Sequence, residues 1–205
     1  MAIKACLFDM GNVLVYFSHD QMCANVVKAS GASLEVVKKI LINDGLQWQI
    51  ECGKITETEF HHQFQVLSET TVDQTEFLTA TADIFELNQS IVPLIDELKQ
   101  SSIRLVLLSN TSANHLEFIR DRYSILDAFD DMTTSFQVGE LKPNESIYLD
   151  AIQRAGCLPE ECFYTDDIEA YVLKGRDLGL NAEIYTSTDL TRAALRELGV
   201  DVAAG

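Results

Sequence analysis

Four places in the 205-residue chain set reactive polar side chains at the ends of apolar runs or in a loop between them. Ala5-Cys6-Leu7-Phe8 stops at Asp9, and Gly11-Asn12 follows before apolar character returns at Val13. Ile103 to Leu108 stops at Ser109-Asn110, Cys162 to Thr165 stops at Asp166-Asp167, and Lys142 lies in the loop Val138 to Pro143. Short apolar runs bounded by turn residues are the pattern of strands buried on both faces, as in parallel sheets. With right-handed crossovers, the ends of such strands meet at the carboxyl edge of the sheet, where open α/β folds bind ligands. Each residue alone has an ordinary use. Ser109 and Asn110 can cap a helix, Asp166 and Asp167 can sit in a first helical turn, and Lys142 can be a solvated loop lysine. Gathered at one edge, the same side chains can hold a cation and a small anion.

The elements that would position them follow from periodicity and caps. Ser18 with Gln21, and Phe17 with Met22, form a capping box and staple that predict a helix to about Ala29, closed by Gly31. A second helix is predicted from Ser33 to about Asn43, a short third holds Leu46, Trp48 and Ile50, and Gly53 breaks it. The box repeats at Thr56 and Glu59 and opens a helix with Phe60, Phe64 and Leu67 on one side. Residues 73–84 and 88–100 also read as helical. From residue 103 strands alternate with helices, with further strands expected at Met132–Phe136, Cys162–Thr165 and Asn181–Tyr185 and a last helix at about Asp189–Leu198. The predicted fold is α/β, a doubly wound, mostly parallel, Rossmann-like sheet formed by residues 1–15 and 88–205, with residues 16–87 inserted as a helical-bundle cap.

Composition narrows the function. A formal net charge of −17 disfavours nucleic acid and anionic membranes, whose surfaces attract Lys and Arg. A small anionic ligand is still compatible, because a local cation and a few aimed donors suffice. The chain shows no signal-peptide pattern and no long apolar span, so a cytoplasmic location is expected. Cys6, Cys23, Cys52, Cys157 and Cys162 lack metal-finger spacing and read as reduced thiols. His19, His61, His62 and His115 show no ligand spacing and read as core or solvated residues.

The motifs resemble the haloacid dehalogenase superfamily, in particular sugar-phosphatase-like members with a helical cap inserted after the first strand. FDMGNVL is similar to the first motif, LLSNT to the second, GELKPNESIY to the third and FYTDDIEAYVLKGRDLGL to the fourth. The resemblance implies an enzyme with Asp9 as nucleophile, and with Ser109, Asn110 and Lys142 holding the phosphoryl oxygens. It implies magnesium bound by Asp9, the Gly11 carbonyl, Asp166 and Asp167. Three converging carboxylates need such a cation, since their repulsion would otherwise favour protonation. The implied reaction is hydrolysis of a small phosphorylated metabolite through an aspartyl-phosphate, by a monomer or homodimer.

Two positions depart from the family pattern. Gly11 stands where phosphatases of the family carry a second Asp that acts as general acid and base. Tyr171 stands where they carry Asn or Asp. Loss of the acid harms least where the leaving group needs little protonation, as in a sugar 1-phosphate. Two alternatives therefore remain open: a 2-haloacid dehalogenase, which expels halide without an acid, and a binder that kept the fold and lost turnover. Cap residues Trp48, Glu51 and Lys54 flank the Gly53 break and are the candidates for substrate choice.

Overall fold

The computed structural model describes residues 2–101 and 103–203. The chain enters through strand β1 (Ala5–Phe8), turns through Asp9 to Leu14, and departs along the short strand β2 (Val15–Tyr16). Helices α1 (His19–Ser30), α2 (Leu34–Lys38), α3 (Leu46–Glu51), α4 (Glu57–Ser68) and α5 (Gln74–Ala82) follow. The chain returns along β3 (Glu86–Leu87), which pairs antiparallel with β2. The remainder runs through α6 (Val92–Gln100), β4 (Arg104–Ser109), α7 (Ala113–Arg122), β5 (Asp131–Thr134) and α8 (Ser135–Val138). It ends with α9 (Glu145–Ala155), β6 (Cys162–Asp166), α10 (Glu169–Asp177), β7 (Asn181–Ile184) and α11 (Thr188–Glu197).

Five strands form one parallel sheet in the order β5-β4-β1-β6-β7. Its centre is buried on both faces, which is why β1 reads as an unbroken apolar run. Ala5 and Leu7 face a layer built on Ile147, Tyr148 and Val172, whereas Cys6 and Phe8 face the layer that continues into the inserted helices. The strand order reverses about β1, so Asp9, Ser109 and Asp166 emerge side by side from β1, β4 and β6 at one edge.

The predicted caps are present, although the Ser18–Gln21 box is made in one direction only, the Gln21 side-chain amide donating to Asn25 instead. Ser18 accepts from the Gln21 amide at the start of α1, Gly31 closes that helix in a left-handed conformation, and the Thr56–Glu59 box is made in both directions.

Three elements differ from the sequence reading. The helix expected from Ser33 to about Asn43 is α2 followed by a wider turn at Lys39–Asn43, closed by the Asp44 amide on the Lys39 carbonyl. The helix expected from residue 88 begins at Val92. Asn88 instead pins the return of the chain, its amide donating to the Val13 carbonyl and the Tyr185 hydroxyl. The strand expected to reach Phe136 stops at Thr134, where the Ser135 hydroxyl turns to the Glu51 carbonyl at 2.6 Å and to Thr111.

Candidate active site

Lys142 is the hub of the site. Its ammonium lies 2.8 Å from Asp9 Oδ1 and 2.5 Å from Asp166 Oδ2, and donates to the Leu108 carbonyl at 3.0 Å. A lysine so enclosed is tenable only with its donors satisfied. Burial works against its charge, yet Asp166 and Asp9 outweigh that and hold its pKa above the ordinary lysine value. Asp166 is further fixed by the Tyr164 hydroxyl at 2.6 Å and the Ile168 amide at 2.9 Å. Asp167 is held by the Asn12 side-chain amide at 2.9 Å.

One carboxylate oxygen from each of Asp9, Asp166 and Asp167 lies within 4.8 Å of the others. An all-oxygen set of this kind suits a hard divalent cation. Three carboxylates and one ammonium also leave two negative charges, the complement of one divalent ion. Without that ion the acids are strained electrostatically. Burial, opposed by Lys142, pushes Asp9 up to about 7, and burial likewise raises Asp167 against the pull of Asn12.

Above this floor is a cavity of about 420 Å³. The core lends it Asp9, Gly11, Asn110, Lys142, Asp167 and Tyr171; Phe17, His19, Trp48, Glu51 and Phe85 wall the other side. Glu51 is 7 % exposed, and burial pushes its carboxyl up to about 7 despite a hydrogen bond from Gln47. Asn110 orients the loop that brings Lys142: its side chain accepts from the Lys142 amide at 2.7 Å and donates to the Lys142 carbonyl at 3.3 Å. Tyr171 stands over the same group, with its ring centroid 5.1 Å from the Lys142 ammonium and its hydroxyl accepting from Asn110 at 3.4 Å. A phenol can thus serve the lysine through its ring face where a shorter polar residue is usual.

Three of the sequence-predicted residues lie off the cavity lining: Asp166, fully buried against Lys142, together with Ser109 and Lys54. Ser109 is 1 % exposed at the end of β4, behind Asn110, with its hydroxyl 3.5 Å from the Asn110 carbonyl. Lys54 is exposed outside the cavity and is a correction to the cap candidates. α3 ends at Glu51, and the turn that follows, closed by the Lys54 amide on the Gln49 carbonyl, directs that lysine to solvent.

Sequence reasoning missed Asn12, Tyr164, Phe17, His19 and His115 as parts of the site. Asn12 has φ +54°, a conformation that Asn tolerates better than most side chains. His19 lies edge-on between Phe17 and Trp48, with ring centroids at 5.1 and 5.6 Å. His115 is buried against Phe85 with Nε2 at 3.2 Å from the Thr81 carbonyl, and burial pushes its pKa down to about 4.

A parallel sheet with an acid–lysine cluster at its carboxyl edge is an arrangement that can hold a divalent cation beside a small anion. A family model for haloacid dehalogenase-like hydrolases matches residues 3–179, and the chain belongs to that family of enzymes. It is 27 % identical over 184 residues to a D-ribitol-5-phosphate phosphatase of Bacteroides thetaiotaomicron, covering 86 % of this chain and 89 % of the relative. It is 25 % identical over 198 residues to a sesquiterpene phosphatase of Aspergillus oryzae, covering 95 % and 96 %. Among solved structures it resembles a Bacteroides thetaiotaomicron enzyme of the family, in complex with magnesium and inorganic phosphate. That match has a TM-score of 0.80 at 24 % identity, over 89 % of this chain and 94 % of that one. A predicted hydrolase of the family from Porphyromonas gingivalis superposes with a TM-score of 0.81 at 25 % identity, over 98 % and 100 %.

Among the described residues, no helix is long and apolar enough to cross a membrane.

Proposed function

We propose that the protein is a magnesium-dependent phosphatase of a small phosphorylated metabolite, working through an aspartyl-phosphate on Asp9. The observation that carries this reading is the cluster of Asp9, Asp166, Asp167 and Lys142, in which Asp9, Asp167 and Lys142 line one cavity and Asp166 is buried against Lys142. Asp9, Asp166, Asp167 and the Gly11 carbonyl would hold magnesium, which supplies charge neutralisation at the phosphoryl oxygens. Lys142 orients Asp9 and, together with the cation, would favour its ionised form, leaving one carboxylate oxygen for phosphorus. Asn110 and Lys142 receive the transferring oxygens. Ser109 joins them by turning its hydroxyl, whose present contact of 3.5 Å is too long to hold it. Water then releases phosphate from Asp9.

The two curated relatives are named for a pentitol phosphate and for a sesquiterpene, so the shared feature is a small phosphomonoester. The cavity volume suits such a ligand, and its aromatic wall can pack on the face of a sugar ring or an apolar alcohol. Sugar 1-phosphates belong in the first substrate panel. A haloacid dehalogenase role is less compatible with the site, because paired carboxylates beside Asp9 repel a carboxylate substrate.

The test is phosphate release from a panel of phosphomonoesters, with magnesium, with chelator, and with Asp9→Asn. Turnover that needs magnesium and disappears in the variant supports the reading. Full turnover in chelator, or by the variant, contradicts it.

A further inference from the structure

Gly11 leaves the reaction without the carboxyl that family phosphatases place there, and the fold keeps that space closed. A Cβ built on Gly11 would meet the Phe17 ring at 2.8 Å, so the ring occupies the direction in which an acid would project. Three carboxyl groups line the cavity: Asp9, Asp167 and Glu51. The first two belong to the cation cluster, and Glu51 alone comes from the inserted helices.

Three features suit Glu51 to proton transfer rather than to charge pairing. Its carboxyl carries no ion pair among the described residues and receives a single side-chain hydrogen bond, from Gln47 Nε2 at 2.9 Å. The other end of that amide, Gln47 Oε1, is buried with no hydrogen-bond partner among the described residues. An amide so placed can serve both states of the acid. Its NH₂ donates to the carboxylate, and after rotation its oxygen accepts from the protonated form.

The third feature is anchoring. The Glu51 carbonyl accepts from the Ser135 hydroxyl at 2.6 Å, and that hydroxyl accepts from the Thr111 amide at 2.8 Å, one residue beyond Asn110. Two residues on, Gly53 packs so closely on the Phe136 carbonyl that a Cβ would approach it to 2.2 Å. The end of α3 is therefore fixed against the segment that would receive the phosphoryl group, which holds Glu51 in the wall of the cavity that Asp9 also lines.

We infer that Glu51 is the general acid and then the general base of the reaction, in place of the carboxyl absent at Gly11. The inference rests on the phosphatase reading above. In the first step an Asp9 oxygen bonds to phosphorus, the bond from phosphorus to the leaving oxygen breaks, and the Glu51 proton passes to that oxygen. The alcohol departs neutral and Glu51 is left as carboxylate. In the second step Glu51 takes a proton from water as the water oxygen bonds to phosphorus. The bond from phosphorus to Asp9 breaks, giving orthophosphate, ionised Asp9 and protonated Glu51. Burial favours the protonated start, since it pushes this carboxyl up to about 7. The other titratable groups on the cavity wall are Asp9, His19, His115, Lys142, Asp167 and Tyr171. Of these, His115 is pushed down to about 4 and is a poor proton donor near neutrality.

The test compares two esters on the magnesium-loaded enzyme. Benzyl phosphate expels an alkoxide that needs a proton, whereas p-nitrophenyl phosphate expels a stable phenolate. Glu51→Gln should lower turnover of benzyl phosphate by about a hundred- to ten-thousand-fold, the usual contribution of a positioned acid or base. First-turnover release of p-nitrophenol should stay within a few-fold of the wild type. It should appear as a burst of about one equivalent, because the second step has lost its base. Glu51→Asp, with its shorter reach, should show the same bias between esters at smaller size, and it keeps the test alive should Glu51→Gln fold poorly. Equal first-turnover losses on both esters, no loss on benzyl phosphate, or the selective pattern in His19→Gln instead would each overturn the role of Glu51 alone. Absence of turnover of either ester by the wild type would overturn the phosphatase reading and this role together.

Discussion

Replacing Lys142 by Met isolates the electrostatics of the site. The change keeps most of the side-chain volume and removes the one cation bonded to both Asp9 and Asp166, two groups that are 7 % and 0 % exposed. Deleting one partner of a buried pair costs about 3–5 kcal/mol, because the remaining charges stay buried without compensation. For a chain of this size, each kcal/mol moves Tm by about 2–4 °C, so Lys142→Met should melt roughly 6–20 °C below the wild type in chelator. Magnesium should then recover more stability in the variant than in the wild type. The acidic cluster has gone from two uncompensated negative charges to three, and a ligand stabilises the folded state in proportion to RT ln(1 + [L]/Kd). Thermal melts at pH 8, with chelator and across a magnesium titration, measure both quantities. A loss under about 2 °C in chelator, or a magnesium shift no larger than that of the wild type, would refute the charge balance assigned to the cluster.

Two buried groups should tilt the pH dependence of stability in opposite senses. Glu51 is raised from 4.5 to about 7, so its neutral form stabilises the fold at low pH and stability falls as pH rises through that window. Glu51→Gln should thus gain on the wild type between pH 5 and pH 8, by at most about 3 kcal/mol. His115 is lowered from 6.5 to about 4, so its neutral form stabilises the fold above that window and stability falls as pH drops through it. His115→Gln should gain on the wild type at acid pH instead; denaturant unfolding at several pH values reads both, and a variant that tracks the wild type contradicts the assignment for its group. Gly53→Ala puts a Cβ against the Phe136 carbonyl at a residue with φ +63°, and should cost about 1–3 kcal/mol together with much of the activity. Unchanged unfolding and turnover in that variant would show that α3 does not need its close seat on the core.

The sheet was legible because β1, β4 and β6 are apolar on both faces and end in residues that an interior strand could not carry. The cluster followed from chain topology, since the register of β4 and β6 on β1 brings Asp9 level with Asp166 and within one residue of Ser109. The two-residue strands β2 and β3 were not legible, because a pair so short leaves no alternation to read. The bond from Asn12 to Asp167 spans 155 positions, and nothing local marks it. Tyr164 looks like one more core residue of β6, and only its neighbour Asp166 gives its hydroxyl a purpose. Lys54 shows the complementary failure: proximity to Glu51 in sequence said nothing about direction once α3 had ended and the chain had turned. At Gly11 the family resemblance marks an acid as missing, while the ring that fills its place becomes visible only when Phe17 is seen folding back over the turn.

Covalent chemistry at Asp9 is tested most directly by trapping. The wild-type enzyme, turning over p-nitrophenyl phosphate with magnesium, is quenched in acid and treated with borohydride, which reduces an acyl phosphate to the alcohol. Peptide mass spectrometry should then find homoserine at position 9, absent when substrate is withheld. An active enzyme that yields unmodified Asp9, or that carries its phosphoryl group on another residue, would contradict the mechanism.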